Sequence, residues 1–457
     1  MTSGAERAMS ESPLPTTLDA WLARLEAAHP VGIDLGLARV AEVARRLALF
    51  ARPLAGRVIS VAGTNGKGST VAMLEALAHA HGLTTATYTS PHLVRYNERL
   101  RLDGEEADDA TLIDGFRAVD RARQAGEPIS LTYFEVGTLA AFWAISRRPR
   151  DLAILEVGLG GRLDAVNIID PDVAVVTTVA QDHAAFLGTD LAQIGREKAG
   201  IMRPGRPAVL GSRTLPASVR EVADSLGARV HALGEAFIRE DRDQGWRWRG
   251  GSPGSDPKED EAAVILGDLP DPGLPLDNAA TALQALSLSG VTLDIDACRR
   301  ALARVRLPGR MQWRGQWCLD VGHNPHAAAY LAGRLRDRPC RGRTLALLAM
   351  QGDKDADGVI AALAPAVDGW VTAGLEGERG RSAEDLGRRL DGRGEHVLHR
   401  AASPAAAADW LAPRLGAEDR VLVCGSFLTV GAVLQWLAGP VQSGQTDTDA
   451  SSREVAP

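Results

Sequence analysis

Paired cysteines are missing from this chain. Its four, Cys298, Cys318, Cys340 and Cys424, lie far apart and never in a CxxC spacing, which excludes a zinc knuckle and a disulfide framework and points to a reducing cytoplasm. Long apolar runs are missing too, so no segment approaches the roughly 20 residues of a membrane span. The opening MTSGAERAMSESPLP lacks the apolar centre of a secretion signal. Positive charge is not in excess: the formal net charge is −7. Generic nucleic-acid binding is therefore not expected, and any anion site must be built locally from lysine, arginine and backbone N–H groups. Nor is there a G-x-G-x-x-G dinucleotide fingerprint, which argues against a resident NAD.

What is present is a globular composition, 45% hydrophobic and 24% charged, over 457 residues. That length is too great for one comfortable core, so two domains are expected. The organising stretch is Arg57 to Thr70, RVISVAGTNGKGST. A β-branched run enters a glycine-rich turn, which opens a helical spacing of Val71, Leu74, Leu77 and Ala78, stopped at Gly82. Strand, glycine turn and helix bring backbone N–H groups and a helix N-terminus onto a phosphate, and Lys67 stands where an ammonium reaches the outer phosphates. The fit to a common P-loop is imperfect. The first glycine comes late, at Gly63, and Gly68 replaces the hydroxyl that should follow the lysine, displacing hydroxyls to Ser69 and Thr70. The magnesium of a bound nucleotide must then find its protein ligands elsewhere.

Several strand ends offer them. Thr84–Tyr88 runs into TSPHL, where Ser90 is either a turn residue or a ligand. The segment DLAILEVGLGG delivers Glu156 from a buried strand, in the manner of an acid serving nucleotide magnesium; a solvated strand-end glutamate is the bland alternative. DVAVVTTVA ends in Gln181, Asp182 and His183, and in IGREKAGI the residues Arg196, Glu197 and Lys198 read by pattern as the polar face of a helix.

Helical spacing is also read near Leu18–Leu25, Leu37–Leu49 and Ile113–Ala122, with Asp34 as a helix cap by pattern alone. LTYFEVGTLAAFWAI starts strand-like but has the apolar width of a buried helix, and Asn278 is either a cap or a base contact near the start of the helix DNAATALQALSLSG. Residues 239–262, charged and rich in Gly and Pro, read as a hairpin or mobile surface insertion. From about 305–315 strands and helices alternate to residue 437, predicting a second, mostly parallel sheet. Its first strand ends in DVGHNPH, which bunches an acid, an imidazole and an amide at one turn.

Taken together, GTNGKGST, YTSPHL, LTYFE, LEVGLGGRLDA, VTTVAQDH, IGREKAGI, LPGR, DVGHNPHA and VLVCGSF resemble the folylpolyglutamate synthases, and among them the bifunctional dihydrofolate synthase/folylpolyglutamate synthases of the Mur-ligase superfamily. The resemblance runs from about residue 17 to residue 438. It implies an α/β fold: an N-terminal P-loop-type, mostly parallel sheet flanked by helices (17–306), plus a smaller C-terminal Rossmann-like glutamate-ligase domain (307–439), between a disordered leader (1–16) and tail (440–457). It implies ATP-dependent addition of L-glutamate to dihydropteroate and reduced folates through an acyl phosphate, with a folylpolyglutamate synthase lacking the dihydropteroate activity as the alternative. A cell-wall Mur ligase would carry a UDP-sugar-binding domain ahead of the phosphate loop.

The same resemblance places ATP against Thr64, Asn65, Gly66, Lys67, Asn278, Arg310 and Asp320, and magnesium on Ser90, Glu156 and His183. The pterin substrate would lie against Ile33, Asp34, Thr89, Thr132, Phe134, Leu163, Asp164 and Ala165. Lys198 matches the lysine that these enzymes carbamylate, so the lysine and arginine of IGREKAGI are then expected to be buried, while His323 and Ser426 match positions near the amide-forming site. Lys67, Lys198 and His323 are the catalytic candidates. A cytoplasmic monomer is expected, with small-molecule substrates and neither nucleic-acid nor membrane partners.

Overall fold

The computed structural model describes residues 14–28, 34–251, 263–377 and 379–439. Most of the expected leader, the tail 440–457, Ile33, the predicted helix end at His29-Pro30 and the later half of the 239–262 segment lie outside the described residues.

The first sheet has eight strands: β1 (Arg57–Ala62), β2 (Thr85–Tyr88), β3 (Leu100–Leu102), β4 (Glu105–Glu106), β5 (Leu152–Glu156), β6 (Val173–Val176), β7 (Pro207–Leu210) and β8 (Arg229–Ala232), in the order β4-β3-β2-β5-β1-β6-β7-β8. All neighbours from β2 to β8 are parallel; β3 and β4 add an antiparallel edge. The central strands carry no alternation of polar and apolar residues because both faces are covered. Val58, Ala62, Leu155 and Val176 face a core shared with the helices Asp109–Gln124 and Tyr133–Arg147. Ile59, Val61, Ile154 and Val175 face one built on Lys67–Ala80, Leu276–Leu288 and Ile295–Arg304.

The ambiguous LTYFE segment is helix Tyr133–Arg147, and its start explains why. Thr132 Oγ1 accepts from Glu135 N at 3.2 Å while Glu135 Oε2 accepts from Thr132 N at 2.7 Å, a closed capping box. Asp34 is not a cap, contrary to the pattern. The helix Ala38–Arg46 starts after Leu37 without a side-chain cap, and Asp34 instead pairs with Arg39 at 2.6 Å. Arg39 also reaches Glu135 at 2.8 Å, so an ion pair to a side chain within the helix, itself anchored on Glu135, takes the place of the cap.

Of the two readings of residues 239–262, the described part takes the hairpin. β9 (Ile238–Asp241) and β10 (Trp246–Gly250) form it, and β11 (Val264–Leu269) completes an antiparallel three-stranded sheet. In WRWRG the tryptophans alternate with arginines, so Trp246 and Trp248 share one face and are fully buried beside Leu283 and Leu286.

The second sheet contains β12 (Gln312–Arg314), β13 (Trp317–Leu319), β14 (Thr344–Leu348), β15 (Gly369–Ala373), β16 (Val397–Ala401) and β17 (Arg420–Cys424), in the order β12-β13-β17-β14-β15-β16. Every pair is parallel except β12–β13. Helices Pro325–Asp337, Ala356–Leu363 and Ala383–Asp391 cover one face, and Pro404–Leu411 and Phe427–Ala438 the other, which makes it doubly wound. The two sheets meet at their carboxyl ends. There Leu93, just beyond β2, packs into the second sheet's core. Its carbonyl lies so close to helix Phe427–Ala438 that a Cβ on Gly431 would sit 2.3 Å from it. Among the described residues no helix is long and apolar enough to cross a membrane.

Candidate active site

The phosphate loop is held open by residues from the next strand. Gly63 and Gly66 take φ values of +154° and +87°, which β-carbon-bearing residues rarely adopt. Thr178 O accepts from Thr64 N at 2.8 Å, and the hydroxyls of Thr177 and Thr178 donate to Asn65 O at 2.7 and 3.0 Å. Thr64 Oγ1 closes the clamp on Ala180 O at 3.0 Å. Lys67, at the N-terminus of its helix, folds back so that Nζ donates to Gly63 O at 3.0 Å. Burial pushes its ammonium below the ordinary lysine range, against the pull of Glu156 and Asp182.

The two displaced hydroxyls turn back onto the loop itself. Ser69 Oγ and Thr70 Oγ1 both donate to Gly66 O, at 3.0 and 2.9 Å. Asn278 is not a cap either, since the helix starts after Pro275. Its buried amide donates to Ser69 Oγ at 2.8 Å and braces the phosphate loop. Gly68 faces Glu156: a Cβ there would lie 3.9 Å from Glu156 Oε2. The position that holds a hydroxyl in common P-loops is thus vacated opposite a buried acid. Burial raises the Glu156 carboxyl above its usual range, countered by Lys67, Arg310 and the backbone of Ser90.

A buried carboxylate beside Ser90 and facing the first turn of the Lys67 helix is an oxygen-rich setting suited to a hard divalent cation. At His183, burial holds the imidazole down at about 4, neutral and able to ligate. Its Nε2 now stands 3.5 Å from Lys354 Nζ. Among the described residues no group of three or more His, Cys, Asp and Glu side chains could hold an ion.

The IGREKAGI helix, Leu191–Ala199, splits its charges. Lys198 is buried, and burial followed by the charge of Lys67 lowers its amine to about 7. Arg196 is exposed, against the expectation that both basic residues would be buried; two positions apart, they fall on different faces of one helix.

Across the cleft, Asp320 accepts from Met311 N and Gly322 N at 2.9 and 2.8 Å, its carboxyl pushed up by burial. Arg310 stacks on Phe427 at 5.5 Å. His323 Nδ1 lies 2.9 Å from Val321 O and its Nε2 3.1 Å from Asp182 Oδ2. Asn324 and Asn65 exchange side-chain amide bonds at 2.9 and 3.1 Å, and Asn65 also contacts His326. Ser426 caps the last helix through Leu428 N.

The expected pterin positions cluster on one side of the first sheet. Thr132 is occupied in its capping box, Thr89 Oγ1 donates to Glu98 O at 3.3 Å, and the Phe134 ring lies against Gly158. Asp164, between half-buried Leu163 and buried Ala165, accepts from Leu159 N and Val166 N, and burial raises its carboxyl to about 6. Asp34 is engaged by Arg39.

Sequence reasoning passed over the most heavily bonded group between the sheets. Asp182 Oδ1 accepts from Lys354 Nζ at 2.6 Å, while Oδ2 takes His323 and, at 3.4 Å, Asn324 Nδ2. Burial alone would raise this carboxyl, but the His323 bond and the charges around it hold it far below the usual range. Its only signal was position: QDH follows β6, and QGDKD follows β14.

Residues 61–210 match the family model described as Mur ligase middle domain, and residues 309–427 that of the Mur ligase glutamate ligase domain. The chain is 45% identical over 421 residues to the dihydrofolate synthase/folylpolyglutamate synthase of Escherichia coli strain K12, covering 92% of this chain and 95% of the relative. It is 37% identical over 434 residues to that of Haemophilus influenzae, at coverages of 90% and 95%. Among solved structures, E. coli FolC in complex with DHPP and ADP superposes with a TM-score of 0.85 at 44% identity, covering 93% of this chain and 98% of that one. A bifunctional folylpolyglutamate synthase/dihydrofolate synthase with Mn, AMPPNP and L-glutamate bound gives 0.83 at 43% identity, with coverages of 93% and 98%.

Proposed function

Since the chain belongs to the dihydrofolate synthase/folylpolyglutamate synthase family of the Mur ligase superfamily, we propose that it joins L-glutamate to dihydropteroate and to reduced folates at the expense of ATP. The observation that carries this reading is the facing of Gly68 and Glu156, within reach of the Lys67 charge, at the carboxyl end of the first sheet, where open α/β folds bind their ligands. The division into an ATP-binding domain over 17–306 and a glutamate-ligase domain over 307–439 is part of the proposal.

A carboxylate is a poor electrophile, so the γ-phosphoryl group of ATP first passes to the folate carboxylate, giving ADP and an acyl phosphate. The free amine of glutamate then attacks the acyl carbon; phosphate leaves, the amide forms and a proton is released. Thr64, Asn65, Gly66 and Lys67 would take the phosphates. Lys67 would exchange the carbonyls of Gly63 and Thr64, now 3.0 and 3.4 Å from its Nζ, for phosphate oxygens, supplying charge rather than covalent participation. Asn278 would brace the loop from behind, while Arg310 and Asp320 reach the nucleotide from the second sheet. Ser90, Glu156 and His183 would hold magnesium, which when bound neutralises charge on the phosphates.

Lys198, with an amine near 7, is a free base in a large fraction of molecules at neutral pH and can take up CO2 as a carbamate, turning a buried cation into a carboxylate beside Lys67. Asp34, Thr89, Thr132, Phe134 and the Leu163–Ala165 turn would shape the pterin pocket, with His323 and Ser426 lining the entrance for glutamate. The four free cysteines suit a reducing cytoplasm, where the enzyme would act as a monomer on small molecules.

The test is ADP release assayed separately with dihydropteroate and with a reduced folate, each with and without glutamate. Glutamate-dependent turnover with both is expected, as is its loss in Lys67→Ala. Turnover with the reduced folate alone narrows the proposal to folylpolyglutamate synthesis. Glutamate-independent turnover, or near-normal turnover in Lys67→Ala, overturns it.

A further inference from the structure

Resting on the ligase reading above, we propose that Lys354 is a positioning residue for the reaction: with Asp182 it forms a buried charge latch that holds the two sheets in the register at which His183 and His323 converge on the cleft. The pair spans the cleft. Asp182 follows β6 of the first sheet and Lys354 follows β14 of the second. Their Nζ–Oδ1 separation is 2.6 Å, and their side chains are only 7% and 9% exposed. Such burial is reached only while the sheets are together. Opening the cleft parts the charges and returns each to water; closing it makes a bond in a setting of low dielectric.

Both partners are braced. Asp182 accepts from Lys354, His323 and Asn324 on the second sheet, and Oδ1 also takes the N–H of His183 at 2.8 Å. One carboxylate thus fixes the backbone of a residue assigned to the metal and the ring of a residue assigned to the glutamate side. The Lys354 loop is equally fixed. Arg381 donates to Gly352 O at 2.8 Å and Lys354 O at 3.2 Å, and Asp355 caps the following helix through Gly358 N at 2.8 Å. The nearest other acid, Asp353, stands 3.8 Å from the ammonium. Lys354 therefore acts through Asp182, on the closure that keeps water from the acyl phosphate.

The experiment uses the full chain as wild type, Lys354→Met, Lys354→Arg, Asp182→Asn and the Asp182→Asn/Lys354→Met double variant. Two quantities are read: kcat against KM for glutamate, and ADP formed per amide formed. In Lys354→Met, kcat is expected to fall roughly a hundredfold, as for misplacement of a site by about 1 Å. KM for glutamate should change little, and the ADP-to-amide ratio should rise as acyl phosphate is lost to water. Lys354→Arg should recover most of the coupling. The double variant should be no worse than the poorer single one. A raised KM with intact kcat would make Lys354 a glutamate contact and overturn the latch, as would a wild-type ADP-to-amide ratio or additive losses. If Lys354→Met melts early, the double variant, which leaves no unpaired charge, carries the same readouts. Small-angle scattering supplies a measure independent of turnover: Lys354→Met should be more expanded than wild type, and equal radii of gyration overturn the latch. A wild type without glutamate-dependent turnover would instead sink the ligase reading.

Discussion

Gly63→Ala tests whether the phosphate loop owes its shape to the strand end beside it. At φ +154° an alanine carries a backbone cost of about 1–3 kcal/mol. Its methyl would also lie 1.9 Å from Thr177 Oγ1, so the hydroxyl must rotate away. Doing so surrenders its bonds to Asn65 O at 2.7 Å and Ala62 O at 3.3 Å, each contributing about 0.5–1.5 kcal/mol net. The combined loss is about 2–6 kcal/mol, whose lower end already exceeds about tenfold in an equilibrium constant. It should be divided between ADP affinity, read by calorimetric titration, and folding stability, read by urea denaturation. Thr177→Ala removes the oxygen that the methyl strikes, so Gly63→Ala should cost about 1–3 kcal/mol less in that background. Additive losses, or a Gly63→Ala protein with wild-type affinity and stability, would refute the clamp as the cause of the loop's shape.

Glu156→Gln should raise the magnesium needed for half-maximal turnover by about tenfold or more; an unchanged magnesium titration would count against its role as a ligand. The Lys198 amine, lowered to about 7, takes up protons as pH falls through that value, and an ammonium cannot add CO2. A carbamate carbon signal from 13C-bicarbonate should therefore be strong above pH 7, fade below it and be absent in Lys198→Met. Its persistence in that variant would dismiss the assignment. Trp248→Ala should lower unfolding stability by about 3–5 kcal/mol, seen as a lower urea midpoint; a wild-type midpoint would show that the three-stranded sheet contributes nothing to the core.

What could be read from the sequence was what is local. Strand, glycine turn and helix around Lys67 are specified within fourteen consecutive residues, and the alternation of elements after residue 312 follows from runs such as Leu345–Leu348, buried on both faces. The residue resemblance carried the candidate set further than pattern could, because Ser90, Glu156 and His183 come from three separate strand ends. The rest depended on distance along the chain. Thr177 clamps Asn65 from 112 positions away, and Lys354 meets Asp182 from 172; no periodicity encodes either. Asp34 is misread because the Arg39 guanidinium, held in place by Glu135 96 positions away, takes its carboxylate instead of the helix's N–H groups. Trp246 and Trp248 were hidden by brevity: a five-residue strand with three inward positions, the last a glycine, is too short to stand out among flanking charges.

The seat of Leu93 against Gly431 has a practical bearing on how this protein can be handled. A chain severed near residue 306 would not yield two clean pieces. The front fragment would present a bare leucine on the same arm as Ser90, and the rear fragment the oily seat beside Gly309, Val321 and Gly431 that it leaves. Each would be sticky alone and drawn to the other, so mixing the halves should restore a working particle where neither half works by itself.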